Sequence, residues 1–178
     1  MRIIGGRFGG RRLVAPAGDR TRPTSDKVRE ALFNLLGDVD GLRVLDLYAG
    51  TGALALEALS RGAAAAVCVE SARPALASLR ANLDTLGASV TVIAKPVERA
   101  ARDVAAHGPF ELVMCDPPYA LVASGEAARA LEAYVAHATD GALFTIEHGA
   151  KAAAPAVAGL TFEETRTWGD TSITLLRR

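Results

Sequence analysis

Asp116-Pro117-Pro118-Tyr119 brings a carboxylate, two stiff carbonyl-bearing residues and an aromatic ring into four consecutive positions. The prolines fix φ and remove two backbone donors, so their carbonyls point outward without an internal partner. A flat group bearing an NH2 suits this grip: the carboxylate and a proline carbonyl accept its two N–H bonds while the ring stacks on its face. The preceding run, Glu111-Leu112-Val113-Met114-Cys115, reads as a buried strand, which puts the grip in the loop at a strand's C-terminal end, where open α/β sheets carry their sites. The same four residues can also merely end a strand.

A second chemical stretch is Asp46-Leu47-Tyr48-Ala49-Gly50-Thr51-Gly52, which leaves an apolar strand through a glycine turn and enters a helix. Gly50-x-Gly52-x-x-Ala55 fits the dinucleotide fingerprint, and Glu70, 18 residues beyond Gly52 at the end of the next strand, stands where an acid takes ribose hydroxyls. Asp46 decides between cofactors. A carboxylate just before the turn repels a pyrophosphate and attracts a ligand carrying an ammonium and a sulfonium, so S-adenosylmethionine is the expected cofactor. The turn lacks bulk at Thr51 and Gly52, which permits close approach of the methionine portion.

Strand and helix patterns alternate around these stretches. Strands are predicted over 43–47, 66–70, 89–94, 111–115 and 142–147, and helices over 52–61, 73–86, 97–107 and 125–137. This alternation calls for a mostly parallel, doubly wound α/β sheet with right-handed crossovers, and segments 160–167 and 172–177 add a C-terminal antiparallel hairpin around Trp168-Gly169-Asp170-Thr171. If the first and fourth strands are neighbours, the methyl donor and the NH2 grip face each other. Upstream, a helix over 25–36 is expected, capped by Thr24 or Ser25 and apolar at Val28, Leu32, Leu35 and Leu36. Residues 1–40 read as an extension and 41–178 as the single α/β domain.

The zero formal net charge conceals an asymmetry: residues 1–29 hold eight basic and two acidic residues, the remainder twelve basic and eighteen acidic. The segments 2–6 and 11–14 look like short strands of a β-hairpin whose tip presents Arg7, Phe8, Arg11 and Arg12. Guanidinium groups pair with phosphates and rings stack on unpaired bases, so this hairpin suits RNA; a solvated basic hairpin is the alternative. No apolar run reaches the roughly 18 residues of a membrane span, and the start is unlike a signal peptide, so a cytoplasmic location is expected. Cys68 and Cys115 lie in apolar runs without ligand spacing, His107, His137 and His148 are isolated, and no metal is expected.

With both stretches in place, the chain resembles class I S-adenosylmethionine-dependent methyltransferases that act on an exocyclic or amide nitrogen, which have a Rossmann-like, seven-stranded sheet. Arg2-Ile3-Ile4-Gly5-Gly6, Gly10-Arg11, Arg22-Pro23-Thr24, Val28-Arg29-Glu30, Leu32-Phe33-Asn34, Glu57-Ala58-Leu59-Ser60-Arg61-Gly62-Ala63 and Gly169-x-Thr171 narrow this to a resemblance to the RsmD family of bacterial 16S ribosomal RNA guanine-N2 methyltransferases. The resemblance implies that Asp46, Gly50, Gly52 and Glu70 belong to the cofactor site, with Tyr48, Thr51, Ser71 and Val97 completing the expected set. It implies that Asp116, Pro117, Pro118 and Tyr119 act on the target base and that Arg7, Phe8, Arg11, Arg12 and Arg22 contact RNA. The implied partner is 16S rRNA in the small ribosomal subunit or its assembly intermediate, met by a monomer. Two departures stand out: Ala94-Lys95-Pro96-Val97 replaces an acidic residue common near the adenine, and Trp168 replaces a commoner tyrosine. Alternatives are a methyltransferase for DNA adenine N6 or protein glutamine, and a nonenzymatic ribosome-assembly RNA-binding module.

Overall fold

The computed structural model describes residues 1–16 and 26–178. Arg22 and the expected caps Thr24 and Ser25 lie outside the described residues. Seven strands, β1 (Arg43–Leu47), β2 (Ala65–Val69), β3 (Thr91–Ile93), β4 (Phe110–Cys115), β5 (Ala138–Gly149), β6 (Thr161–Trp168) and β7 (Thr171–Arg177), form one sheet in the order β3-β2-β1-β4-β5-β7-β6. The first five are mutually parallel, and β7 runs antiparallel to both β5 and β6. The helices are α1 (Asp26–Leu36), α2 (Ala53–Ser60), α3 (Arg73–Leu86), α4 (Val97–Val104), α5 (Tyr119–Ala123) and α6 (Glu126–Val135). None among the described residues is long and apolar enough to cross a membrane.

The central strands are largely apolar because both faces of the sheet are covered. Leu45, Leu47, Val113 and Cys115 pack with Ala100, Leu131 and Tyr134 on the α4 and α6 side. Val44, Cys68, Leu112 and Met114 pack with Phe33, Ala55 and Leu79 on the side of α1, α2 and α3. Alternation along β1 therefore sends Asp46 toward the same side as Val44, at the start of α2. Cys68 and Cys115 are buried free thiols.

Besides β3, which shrinks from 89–94 to Thr91–Ile93, and α4, which ends at Val104, three elements differ from the sequence expectation. β5 starts at Ala138 rather than at 142, because the ladder with β4 absorbs the polar Thr139-Asp140-Gly141 through a register shift between Phe110 and Leu112. Asp116-Pro117-Pro118-Tyr119 is not wholly loop: Pro118 immediately precedes α5, whose first residue is Tyr119. At the N-terminus, the two predicted strands reduce to one antiparallel bridge between Arg2 and Arg12, with a one-turn 3₁₀ helix, Gly6–Phe8, between them. Ile3 N still bonds to the Arg11 carbonyl and Leu13 N to that of Met1, but the ladder goes no further, since Arg11 N–H turns to the Phe8 carbonyl and Gly5 N–H to Glu57, while Ile4 N–H also bonds to Glu57 and Phe8 N–H to Ser60.

Candidate functional site

Residue-by-residue pairing of β1 with β4, ending at Leu47 opposite Cys115, sets the glycine turn beside the Asp-Pro-Pro-Tyr segment, and Asp116 N–H bonds to the Leu47 carbonyl at 3.3 Å. The neighbour relation expected from the fold class is thus present. A cavity of about 730 Å³ opens over these strand ends. Asp46, Tyr48, Gly50, Thr51, Glu70, Ser71 and Val97 line it, together with Asp116, Pro117, Pro118 and Tyr119. Gly52 does not. It sits behind the turn at φ 78°, where a Cβ would lie 2.2 Å from the Leu79 side chain, so its glycine serves a left-handed backbone and the close seating of α2 on α3.

In the glycine-turn half, carboxylates hold backbone N–H groups. Asp46 Oδ2 accepts from Ala55 N at 3.0 Å, and Asp46 Oδ1 is buried without a hydrogen-bond partner. Burial pushes the Asp46 carboxyl up to about 8; the Ala55 hydrogen bond pulls it down, and the charges of Asp116 and Glu70 add to the rise. Glu70 Oε2 accepts from Gly50 N at 2.8 Å, while its Oε1 accepts from Ser71 and Ala72 N, both at 2.7 Å, at the entry to α3. A carboxylate offers about four acceptor positions, so Glu70 fastens the turn and keeps capacity for one further donor rather than two. Tyr48 adopts φ 59°, a left-handed conformation costing a bulky residue about 1–3 kcal/mol, and its hydroxyl donates to Glu98 Oε1 at 3.0 Å.

In the other half, Tyr119 is 39% exposed, and its ring lies along Gly149, where a Cβ would come within 3.5 Å. Its hydroxyl sits 3.1 Å from Glu147 Oε1 and 3.0 Å from Thr171 Oγ1. Glu147 follows Ile146, the partner of Cys115 in the β4–β5 ladder, so its carboxyl stands beside that of Asp116 on the cavity wall. Glu147 was missed at the sequence level, although an acid ending a predicted strand, like Glu70, was the available signal.

The cavity's described walls contain five carboxylates, Asp46, Glu70, Glu98, Asp116 and Glu147, and neither Lys nor Arg. That lining, together with the unpartnered Asp46 oxygen, fits a cationic ligand such as S-adenosylmethionine and opposes a pyrophosphate.

The N-terminal segment is fastened across α2 and α3 by residues to which the sequence reading gave no role in the site. Glu57, fully buried, accepts from Ile4 N at 2.7 Å and Gly5 N at 2.9 Å and pairs with Arg61 at 2.8 Å and with the equally buried Arg29 at 3.6 Å. Asn82 exchanges two bonds with the Val14 backbone and donates to Thr51 O at 3.0 Å, tying the segment to the glycine turn. Met1, Ala15 and Pro16 consequently reach the cavity wall. Of the expected RNA contacts, Arg7, Arg11 and Arg12 are exposed, whereas Phe8 is half-buried with the Arg7 guanidinium 4.5 Å above its ring. Arg11 also donates to the Thr85 carbonyl at 3.1 Å, outside the cavity.

A seven-stranded sheet of this order, with its cavity at the parallel strand ends, has the Rossmann-like fold of methyltransferases. The solved structure of the Escherichia coli protein yhhF superposes with a TM-score of 0.81 at 34% identity, covering 100% of this chain and 97% of that one. The chain belongs to the RsmD family: the model of the family described as "Conserved hypothetical protein 95" matches residues 1–177. The Bacillus subtilis protein YlbH is 35% identical over 183 residues, covering 100% of this chain and 99% of its own length. "Ribosomal RNA small subunit methyltransferase D" of E. coli is 44% identical over 121 residues, which span 67% of this chain and 60% of that protein.

Proposed function

We propose that the protein transfers a methyl group from S-adenosylmethionine to the exocyclic N2 of one guanine in 16S ribosomal RNA, presented on an assembling small-subunit particle. The observation that carries this reading is the single cavity shared by the Asp46 turn and the Asp116-Pro117-Pro118-Tyr119 segment. The name of the E. coli relative supports ribosomal RNA as the substrate.

Bound in this cavity, S-adenosylmethionine supplies an electrophilic methyl whose bonding electron pair stays on sulfur as N2 takes the carbon. Asp46 receives the ligand's ammonium and Glu70 a ribose hydroxyl. Asp116 and the Pro117 carbonyl accept the two N2 hydrogens, drawing the nitrogen toward sp3 character and aiming its lone pair at the methyl. Asp116 takes the proton N2 loses. Removing the guanine from a stack costs a few kcal/mol, which stacking on Tyr119, about 1–3 kcal/mol, partly offsets.

The test offers labelled methyl donor with naked 16S RNA, 30S particles, DNA and protein, and then maps the modified nucleotide. Label in one guanine as N2-methylguanine is expected; label in adenine or glutamine, or none with any acceptor, overturns the reading.

A further inference from the structure

Amino groups on nucleobases differ less than the ring nitrogens beside them. Next to the NH2-bearing carbon, adenine N1 and cytosine N3 are acceptors, whereas guanine N1 carries a hydrogen. An ionised carboxylate accepts and does not donate, so one placed there pairs with guanine and opposes the lone pairs of adenine and cytosine. Glu147 shares the cavity wall with Asp116. It is 7% exposed and lies within hydrogen-bond reach of the Tyr119 hydroxyl.

Its orientation is set by side chains from neighbouring elements. The Tyr119 hydroxyl has one hydrogen, donated to Glu147 Oε1, so at the 3.0 Å contact with Thr171 Oγ1 it is Thr171 that donates. The chain from Thr171 through Tyr119 to Glu147 joins the start of β7, α5 and the end of β5, and Thr171 pairs with Gly149 across the β5–β7 ladder. The bond from Tyr119 takes one of the roughly four acceptor positions of this carboxylate and orients it in the cavity wall.

Building on the reading of the target as guanine, we infer that Glu147 is the specificity-determining residue of the site: it accepts the guanine N1–H while Asp116 and the Pro117 carbonyl hold N2. Glu147 and Asp116 together then read two adjacent donors of the Watson–Crick edge, which demands a guanine taken out of base pairing. Thr171 and Tyr119 act as positioning residues toward Glu147, and Tyr119 also stacks.

The deciding experiment uses small-subunit particles assembled from 16S RNA that carries either guanosine or 2-aminopurine at the mapped target. The analogue retains the C2 amino group but presents an acceptor at N1. Wild-type protein is expected to methylate guanosine at least about 100-fold faster, as sites built around a substrate N–H reject analogues lacking it. Glu147→Gln, which offers a donor to N1, should bring the two rates within about tenfold of each other. Glu147→Asp should keep the preference at a lower rate, and Tyr119→Phe, which keeps the ring but removes the hydroxyl that orients Glu147, should narrow the preference by less than Glu147→Gln does. Calorimetric affinity for S-adenosylmethionine within a few-fold of wild type verifies that each variant is folded. Wild-type discrimination below about tenfold overturns the inference without any variant. An unchanged preference in Glu147→Gln also overturns it while leaving the guanine reading intact; methylation of neither base by wild-type protein removes both.

Discussion

In the glycine-turn half of the cavity, Asp46 and Glu70 hold backbone N–H groups of Ala55, Gly50, Ser71 and Ala72, so the carboxylates and the chain fix each other. In the Asp116 half, Tyr119 is held by the side chains of Glu147 and Thr171, and its ring stays partly open to solvent. The first arrangement is stiff before any ligand arrives, because moving a carboxylate there strips hydrogen bonds from the glycine turn, from the first turn of α2 and from the entry to α3. The second is a chain of rotatable groups on three elements, suited to closing on a base that has to be delivered. On the proposed reading, the half that meets a small diffusible cofactor is preformed and the half that meets a macromolecule is adjustable.

The largest effect should come from Asp116→Ala. Transfer is expected to fall by at least about 10³-fold, as a group that both aligns the nucleophile and takes its proton is lost. Calorimetric affinity for S-adenosylmethionine should stay within a few-fold. Near-wild-type turnover in a radiolabel assay would remove Asp116 from the mechanism and with it the distinction between the halves.

Asp46→Asn should act in the opposite manner, weakening cofactor binding by about 10- to 100-fold while sparing RNA affinity. A pH signature accompanies it. The folded carboxyl, pushed up to about 8 from an ordinary 3.8, keeps its proton at neutrality, and a bound ammonium favours the ionised form. Wild-type affinity should therefore rise from pH 6 to 7.5, by at most about tenfold per unit, and the Asn variant should lack this slope. For the ligand-free fold the sign is reversed. Unfolding above pH 3.8 releases the proton that the native state holds, so the Asp46 contribution lowers stability as pH rises toward about 8. Denaturant titrations should show the stability of Asp46→Asn gaining on wild type across that window; parallel curves would contradict the raised carboxyl.

Asn82→Ala tests whether the N-terminal segment belongs to the stiff half. Losing the bonds to Val14 and Thr51 should cost about 1–3 kcal/mol and expose residues near position 14 to proteolysis. Unchanged stability would show that Glu57 and Ser60 suffice to hold the segment. The smallest effect is expected for Arg11→Ala with Arg12→Ala, which should weaken RNA binding and flatten its salt dependence by up to about one slope unit per lost phosphate contact. Since Arg11 also serves the Thr85 carbonyl, Arg12→Ala alone should account for most of the change; an unaltered slope means this surface is not the RNA contact.

What could be read in the sequence is local in the chain. Asp46 and Glu70 end apolar runs, Gly50 and Gly52 follow one, and Asp116-Pro117-Pro118-Tyr119 follows another, so strand period and turn chemistry sufficed to put them at strand ends and to recover the alternating α/β order. The short helix beginning at Tyr119 escaped because five residues carry too little periodicity. Tertiary structure alone decided that β1 and β4 are neighbours, which turned two motifs into one cavity. It also decided the employment of the buried polar residues: Glu57 meets Ile4 53 residues away, Asn82 meets Val14 across 68, and Glu147 meets Tyr119 across 28. A side chain that satisfies a backbone donor or a distant hydroxyl leaves no periodic trace, because its energy depends on burial and on a partner that only folding supplies.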